Sequence, residues 1–219
     1  MRMMNALTIA AALSLTAGIA SAEDIPIKIG VLNDRSGIYS DLSGEGSVIA
    51  ARMAVEDFGA NSKGIKVEIV SADHQNKPDI ASNIARQWID QDGVDVIADL
   101  PTSSAALAVS EVVREKNKIL LVTTAATSDL TGAKCSPNTV HWTYDTWALA
   151  HGTGKAMVEQ GGKKWFFITA DYAFGHALER DTAAVIKAAG GEIIGSVRHP
   201  SPAMTSPPSC CRLNPPAPR

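Results

Sequence analysis

The sequence has few cysteines, few aromatic residues and no strong excess of charge of either sign. Three of its 219 residues are cysteine, 5% are aromatic, and the formal net charge is −3. Cys135 is the one cysteine that precedes Cys210 and Cys211, so the main part of the chain contains no pair for an intramolecular disulfide. A slightly negative charge also argues against a basic surface that holds a phosphate backbone. We therefore expect no nucleic-acid partner.

The sequence also lacks the short motifs that mark common catalytic and cofactor sites. It contains no Gly-x-Ser-x-Gly elbow, no P-loop and no His-Glu-x-x-His helix, and its five histidines have no metal-ligand spacing. Gly152-Thr153-Gly154 lies inside a predicted helix rather than after a strand, which is not typical of a dinucleotide-binding turn. We expect no catalytic residues, no metal, no cofactor and no enzymatic activity.

The apolar segment near the N-terminus is too short to cross a bilayer. After Arg2, the run Ala6–Ala20 leads to Ala20-Ser21-Ala22, the small-x-small pattern that signal peptidase cleaves. A spanning helix needs about 20 apolar residues, so a membrane anchor is the weaker alternative. We predict a signal peptide over residues 1–22, cleavage near Ala22 and a periplasmic location.

Between Ile27 and Val197, short β-branched segments alternate with longer segments of helical period. This alternation is typical of an α/β protein with a parallel sheet. The predicted strands are Ile27–Leu32, Lys66–Ser71, Asp95–Asp99, Ile119–Thr123, Lys164–Ala170 and Glu192–Val197. The predicted helices are Gly46–Phe58, Pro78–Asp90, Ser103–Glu115, Asp145–Glu159 and Gly175–Ala189. Turn residues and a short extended run interrupt the alternation at Ala125–Trp142, which predicts a first lobe over residues 23–140 and a partial second lobe over residues 141–200.

Small polar residues follow three of the predicted strands, at Asn33–Tyr39, Leu100–Ser104 and Thr123–Ser128. Ligands of open parallel sheets bind outside the carboxyl ends of the strands, where helix N-termini present free N–H groups. A carboxylate would meet hydroxyl and backbone donors there. The alternative is that these hydroxyl residues serve as helix caps; it applies to Thr102, Ser103, Thr127 and Ser128.

Three stretches of this chain resemble a known family. They are "IKIGVLNDRSGIYSDLSGEGSVIAARMAVEDFG" from Ile27, "LVTTAATSDLTG" from Leu121, and "ADYAFGHALERD" from Ala170. At this spacing they resemble the substrate-binding proteins of branched-chain amino acid type ABC transporters, and the resemblance covers Ile25 to about Pro200. It implies the type I periplasmic-binding fold, in which two parallel-sheet lobes close on a small polar molecule. It also implies docking on the membrane subunits of an ABC permease.

The resemblance further implies which residues touch the ligand. The first lobe would hold a ligand carboxylate through Thr102, Ser103, Ala125 and Thr127. Tyr39 of the same lobe would cover the ligand. The second lobe would add an aromatic wall of Tyr172 and Phe174, where Phe174 replaces a common Tyr. The acid that often holds a ligand ammonium has no counterpart here, which leaves amino acids, amides or urea, and aromatic acids open. A periplasmic α/β enzyme and a ligand sensor of the same fold are the alternatives.

The final segment, His199–Arg219, differs from everything before it. Seven of the eleven prolines lie from residue 200 onward, which disfavours regular helix or strand. Reading the codons of Ala203–Arg212 in a shifted frame yields an acid followed by apolar positions at helical spacing, similar to the "D-F-S-S-F-L-L-Q" usual in the family. We predict that residues 201–219 are an aberrant tail from a frameshift, which truncates the second lobe and impairs binding. A proline-rich recognition segment is the alternative.

Overall fold

The computed structural model describes residues 24–200, which form two separate parallel sheets. The first sheet has five strands in the order β2-β1-β3-β4-β5, and the second pairs β6 with β7. The strands of the first sheet are β1 (Ile25–Asn33), β2 (Ile65–Asp73), β3 (Val96–Asp99), β4 (Ile119–Val122) and β5 (Thr139–His141). The strands of the second sheet are β6 (Lys164–Ala170) and β7 (Glu192–His199).

Crossover connections join successive parallel strands, and each contains an α-helix except the one between β4 and β5, which has a 3₁₀ turn. The α-helices are α1 (Gly44–Phe58), α2 (Pro78–Asp90), α3 (Ser103–Glu115), α4 (Thr146–Leu149), α5 (Lys155–Glu159) and α6 (Ala173–Ala188). A π-helical turn, Ala150–Gly154, joins α4 to α5, and short 3₁₀ turns occupy Ala60–Lys63 and Ser128–Leu130. The predicted α/β class with two parallel-sheet lobes is confirmed. Across residues 24–200, none of the helices is both long enough and apolar enough to span a bilayer.

The predicted elements agree closely with the observed ones. The bounds of α2, α3 and β6 match the prediction residue for residue. The short extended run predicted at Val140–Trp142 is the edge strand β5, displaced by one residue. The predicted helix Asp145–Glu159 is present but contains the π-helical turn. The predicted signal peptide and the predicted aberrant tail lie outside the described residues.

The core of the first lobe lies between its sheet and the helices α2 and α3. Leu32, Ile97 and Leu120 from three neighbouring strands are fully buried there. Trp88 of α2 packs directly on β1, because a Cβ built on Gly30 would lie 2.4 Å from its ring. Each fully buried aliphatic side chain contributes about 1.5–3 kcal/mol to folding.

The second lobe, as described to residue 200, covers its sheet less completely. Helix α6 packs on β6 and β7 and buries Val185 and Ile186. Exposure alternates along β6, so that Phe166 and Ile168 face solvent, with Ile168 51% exposed. The first sheet includes His141 and the second begins at Lys164; the division of the chain into lobes at residue 140 stays a prediction.

Candidate functional site

Four of the predicted ligand-binding residues meet at the carboxyl ends of β3 and β4. Thr102, Ser103, Ala125 and Thr127 are each at most 3% exposed. The N–H of Thr127 donates to Oγ of Ser103 at 3.3 Å, which joins the loop after β3 to the loop after β4. The hydroxyl proton of Ser103 then remains available for another acceptor. The structure therefore brings the two predicted hydroxyl loops into direct contact.

Helix α3 begins at this contact, and among the described residues no side chain caps it. Thr102 occupies the N-cap position, yet its hydroxyl donates to Oδ1 of Asn76 at 2.7 Å instead of accepting from the helix. Thr127 does act as a cap, the alternative role considered for the hydroxyl residues. Its Oγ1 accepts from the N–H of Asp129 at 3.3 Å, at the start of the 3₁₀ turn Ser128–Leu130. An uncapped helix N-terminus presents free N–H groups and a partial positive charge, both of which favour an anion.

The end of β3 has a backbone conformation that ordinary residues rarely adopt. Asp99 and Leu100 have φ values of 84° and 62°, and both side chains are buried. The Asp99 carboxylate accepts from Asn33 Nδ2 at 3.1 Å, from Thr123 Oγ1 at 3.1 Å and from Thr124 Oγ1 at 3.0 Å. These bonds offset a backbone strain of about 1–3 kcal/mol per residue. Asp99 lies outside the three predicted polar loops, although an acid that ends a buried strand is a usable signal, and Asn33 lies in the predicted loop Asn33–Tyr39 but had no predicted role.

The loop after β1 positions Tyr39 through the buried Asp34. One oxygen of Asp34 accepts from the N–H of Gly37 at 2.8 Å, and the other accepts from the N–H of Tyr39 at 3.0 Å. A Cβ at Gly37 would lie 2.5 Å from this carboxylate, so the close approach requires glycine. The Tyr39 hydroxyl in turn forms a hydrogen bond with the Tyr172 hydroxyl of the second lobe. This bond joins the two lobes directly.

The two predicted aromatic wall residues, Tyr172 and Phe174, occupy different surroundings. Burial raises the pKa of Tyr172, and its hydrogen bond with Tyr39 raises that pKa further, so the hydroxyl stays protonated. The Phe174 ring centroid lies 6.0 Å from that of Tyr172. Phe174 also lines a half-open pocket of about 490 Å³ in the second lobe, between α6, β6 and the π-helical turn. The structure thus places Tyr172 against Tyr39, and Phe174 partly against the interior of its own lobe.

A buried histidine lies near these loops. His74 is fully buried, and its Nδ1 accepts from the N–H of Asn76 at 3.0 Å. Burial lowers the pKa of His74, and the nearby carboxylates of Asp34, Asp73 and Asp99 counteract this only partly, so the ring is neutral near pH 7. His74 thus supports Asn76, whose side-chain oxygen accepts from the Thr102 hydroxyl. Over residues 24–200, no three His, Cys, Asp or Glu side chains cluster in a way that could hold a metal ion.

These features define a two-lobed α/β protein with polar loops of one lobe facing aromatic residues of the other. The model of the periplasmic binding protein family matches residues 26–212. The chain therefore belongs to the periplasmic binding protein family, and the predicted family is confirmed.

Related proteins agree with this assignment. The chain is 28% identical over 196 residues to the Leu/Ile/Val-binding protein homolog 6 of Brucella abortus, covering 89% of this chain and 49% of that protein. A periplasmic binding protein from Burkholderia mallei is 51% identical with a TM-score of 0.79, covering 82% of this chain and 48% of that one. An ABC transporter solute binding protein from R. palustris, solved with benzoate, is 26% identical with a TM-score of 0.73, covering 81% and 49% of the two chains.

The chain spans about half the length of the curated relatives it matches. The same holds for the solved structures, of which it covers 48% and 49%. The matched proteins are binding proteins for solutes rather than enzymes.

Proposed function

We propose that this chain is the solute-binding component of an ABC importer and captures a small carboxylate between its lobes for delivery to a membrane permease. The observation that carries the proposal is the contact between Ser103 and Thr127 beside the uncapped start of α3. The hydroxyl protons of Ser103 and Thr127 and the first N–H groups of α3 are the donors that we expect a ligand carboxylate to meet there. The Tyr39–Tyr172 bond places aromatic residues of both lobes at the junction between them.

The donors available at this site are sufficient for useful affinity. A hydrogen bond to a charged ligand group contributes about 1.5–3 kcal/mol. Three such bonds reach the range of about 8 kcal/mol that corresponds to micromolar binding, before the costs of ordering the ligand are subtracted. The closed surroundings of Ser103 and Thr127, which are at most 1% exposed, strengthen each of these bonds.

Among the ligand classes left open by the sequence, we favour an aromatic acid. The solved neighbour from R. palustris holds benzoate, and Tyr39, Tyr172 and Phe174 supply aromatic surface in this chain. An aliphatic amino acid is the second candidate, favoured by the relative described as a Leu/Ile/Val-binding protein homolog. Amides and urea are the third class to test.

Export through a signal peptide over residues 1–22 and docking on a permease are part of the same proposal. The family is periplasmic, which supports the export step. This chain spans about half the length of these relatives, so binding by the whole relative cannot stand in for binding by this chain. Binding by the chain itself is therefore the decisive measurement.

The test compares benzoate, leucine and urea as probes, using thermal unfolding and titration calorimetry. We expect benzoate to stabilise the chain, by about 2.7 kcal/mol at one hundred times its dissociation constant. Ser103→Ala should abolish this stabilisation. Ser110→Ala is the matched control, because Ser110 is another buried serine of α3 whose hydroxyl bonds to Thr139 at 2.8 Å.

Two outcomes would contradict the proposal. The first is a wild-type chain that none of the three probes stabilises. The second is equal loss of binding in Ser103→Ala and Ser110→Ala, because that result would trace the loss to helix stability instead of a ligand contact.

A further inference from the structure

A hydrogen-bonded group of five residues connects the first lobe to α6. We call it the Asp181 network; its members are Ser128, Asp129, Thr146, Arg180 and Asp181. Ser128 and Asp129 follow β4 of the first sheet, and Thr146 begins α4 after β5. Arg180 and Asp181 lie on α6, between the two strands of the second sheet. Helix α6 also contacts α3 of the first lobe, so the network lies beside a packed contact between lobes.

Asp181 is the centre of this network. Its Oδ2 accepts from the hydroxyls of Ser128 at 2.7 Å and Thr146 at 2.6 Å. Its Oδ1 accepts from Nε of Arg180 at 2.9 Å. The Asp181 side chain is 11% exposed, so water replaces these donors poorly when one of them is lost.

Arg180 completes the connection on the solvent side. Its guanidinium donates to Oδ1 of Asp129 and to Oγ of Ser128, both at 2.8 Å. The guanidinium therefore bonds to two adjacent residues of the first lobe while it also holds Asp181. A planar guanidinium that bonds three groups at once restricts their relative position more than a single ion pair does.

The donors and acceptors of the network match without conflict. The Thr146 hydroxyl accepts from the N–H of Ser128 at 3.0 Å and gives its single proton to Asp181. The Ser128 hydroxyl accepts from Arg180 and gives its proton to the same carboxylate oxygen. Each proton has one acceptor, and an ionised carboxylate is the group that satisfies both hydroxyls. An amide at position 181 could accept from both hydroxyls through its oxygen, but its N–H₂ group would then oppose the Nε–H of Arg180.

The network holds the predicted ligand loop. The N–H of Thr146 donates to the carbonyl of Ala126 at 2.8 Å, and Ser128 is fixed through its N–H and its hydroxyl. Thr127, whose N–H contacts Ser103, lies between these two anchored residues. A rotation of α6 relative to the first lobe would therefore act on the loop that carries Thr127.

We infer that Asp181 is a positioning residue that fixes the orientation of the two lobes and thereby holds the Ala126–Ser128 loop for ligand. The part that concerns ligand rests on the proposed function; the part that concerns lobe orientation does not. Loss of the network lets the lobes sample other orientations. The apparent dissociation constant rises in inverse proportion to the fraction of molecules that remain in the binding orientation.

The experiment measures lobe orientation and ligand binding separately. Nitroxide labels are placed at Cys135 in the first lobe and at Lys187→Cys on α6, with Cys210→Ser and Cys211→Ser to confine labelling. Both label positions are exposed. Pulsed electron paramagnetic resonance gives the distribution of distances between the two labels. Circular dichroism checks folding, and titration calorimetry with benzoate gives the affinity.

The variants come in matched pairs. Asp181→Asn and Thr146→Val should broaden the distance distribution and weaken benzoate binding about tenfold, the result of a tenfold drop in the competent fraction. Thr146→Ser keeps the hydroxyl and should behave as wild type. Asp95→Asn is the control carboxylate, because Asp95 bonds to Lys118 and to the N–H of Lys28 within the first lobe alone.

The outcomes separate the two proposals. Folded Asp181→Asn and Thr146→Val chains with wild-type distance distributions would overturn the role of Asp181, and if Asp181→Asn fails to fold, the isosteric Thr146→Val decides. Equal broadening in Thr146→Ser or Asp95→Asn would also overturn it. A wild-type chain that binds no probe contradicts the proposed function, and the label distances still test Asp181.

Discussion

The two lobes use the same βα units, but the first covers its sheet with helices and the described part of the second does not. In the first lobe, Leu32, Ile97 and Leu120 are fully buried between α2, α3 and the sheet. In the second, Phe166, Ile168 and Ile194 on β6 and β7 are 37–55% exposed. The contrast shows that helical coverage, more than strand sequence, decides where apolar side chains stabilise this chain.

The largest expected effect comes from truncating a fully buried residue of the first lobe, and an exposed residue of the second lobe serves for comparison. Leu120→Ala removes a fully buried side chain of β4 and should lower the free energy of unfolding by about 2–5 kcal/mol. Ile168→Ala, at 51% exposure on β6, should lower it by less than about 1 kcal/mol. Urea denaturation followed by circular dichroism measures both. Equal losses of unfolding free energy would show that the Ile168 side chain is buried in solution, contrary to its exposure on β6.

A pair of glycines sharpens the comparison inside the second lobe. Gly175 lies in the first turn of α6, and a Cβ there would lie 2.0 Å from the carbonyl oxygen of Ala170, so Gly175→Ala should cost about 1–3 kcal/mol. Gly152 has no atom within 4 Å of a built Cβ and lies in a helical turn, so Gly152→Ala should be neutral or slightly stabilising. Thermal unfolding distinguishes the two variants. A harmless Gly175→Ala would mean that α6 does not approach β6 this closely.

The smallest expected effect is the pH dependence of the unfolding free energy that the Asp181 network contributes. Burial by itself raises the pKa of Asp181, but hydrogen bonds from Thr146, Ser128 and Arg180 outweigh it, so that pKa lies below its usual value. A lowered pKa in the folded state stabilises the chain above the unfolded pKa of about 3.9, and this stabilisation is lost as pH falls through the folded pKa. The difference in unfolding free energy between wild type and Asp181→Asn should therefore be constant near pH 7 and shrink below about pH 4. A difference that stays constant down to pH 3 or below, through the folded pKa, would show that the carboxylate is not held in its charged form.

Much of this architecture follows from local pattern. The segment of helical period that predicted α2 includes Trp88, which packs on Gly30, and the apolar run that predicted β4 is an interior strand of the first sheet. Helical period and β-branched runs are properties of neighbouring residues, so one sequence is enough to detect them. The gathering of Ser103 and Thr127 also follows from the rule that parallel strands end at one edge.

The features that escaped prediction depend on residues distant in sequence. The Asp181 network joins residues 35 and 53 positions apart, and nothing in the pattern around Asp181 indicates its partners. The sequence of the π-helical turn at Ala150–Gly154 has the pattern of an ordinary α-helix. Its π-helical geometry and its packing against α6 are visible only in the structure. The positive φ values at Asp99 and Leu100 are equally invisible, because neither residue is a glycine.

That unusual turn at Asp99 and Leu100 has a consequence for how a metabolite would be selected. A turn kept in a costly conformation by Asn33, Thr123 and Thr124 has few alternative shapes to relax into, so little chain entropy is lost when a molecule arrives. A rigid turn of this kind selects ligands by their shape, because it does not adapt its own conformation to each ligand. Discrimination at this edge would then come from the rigidity of the turn.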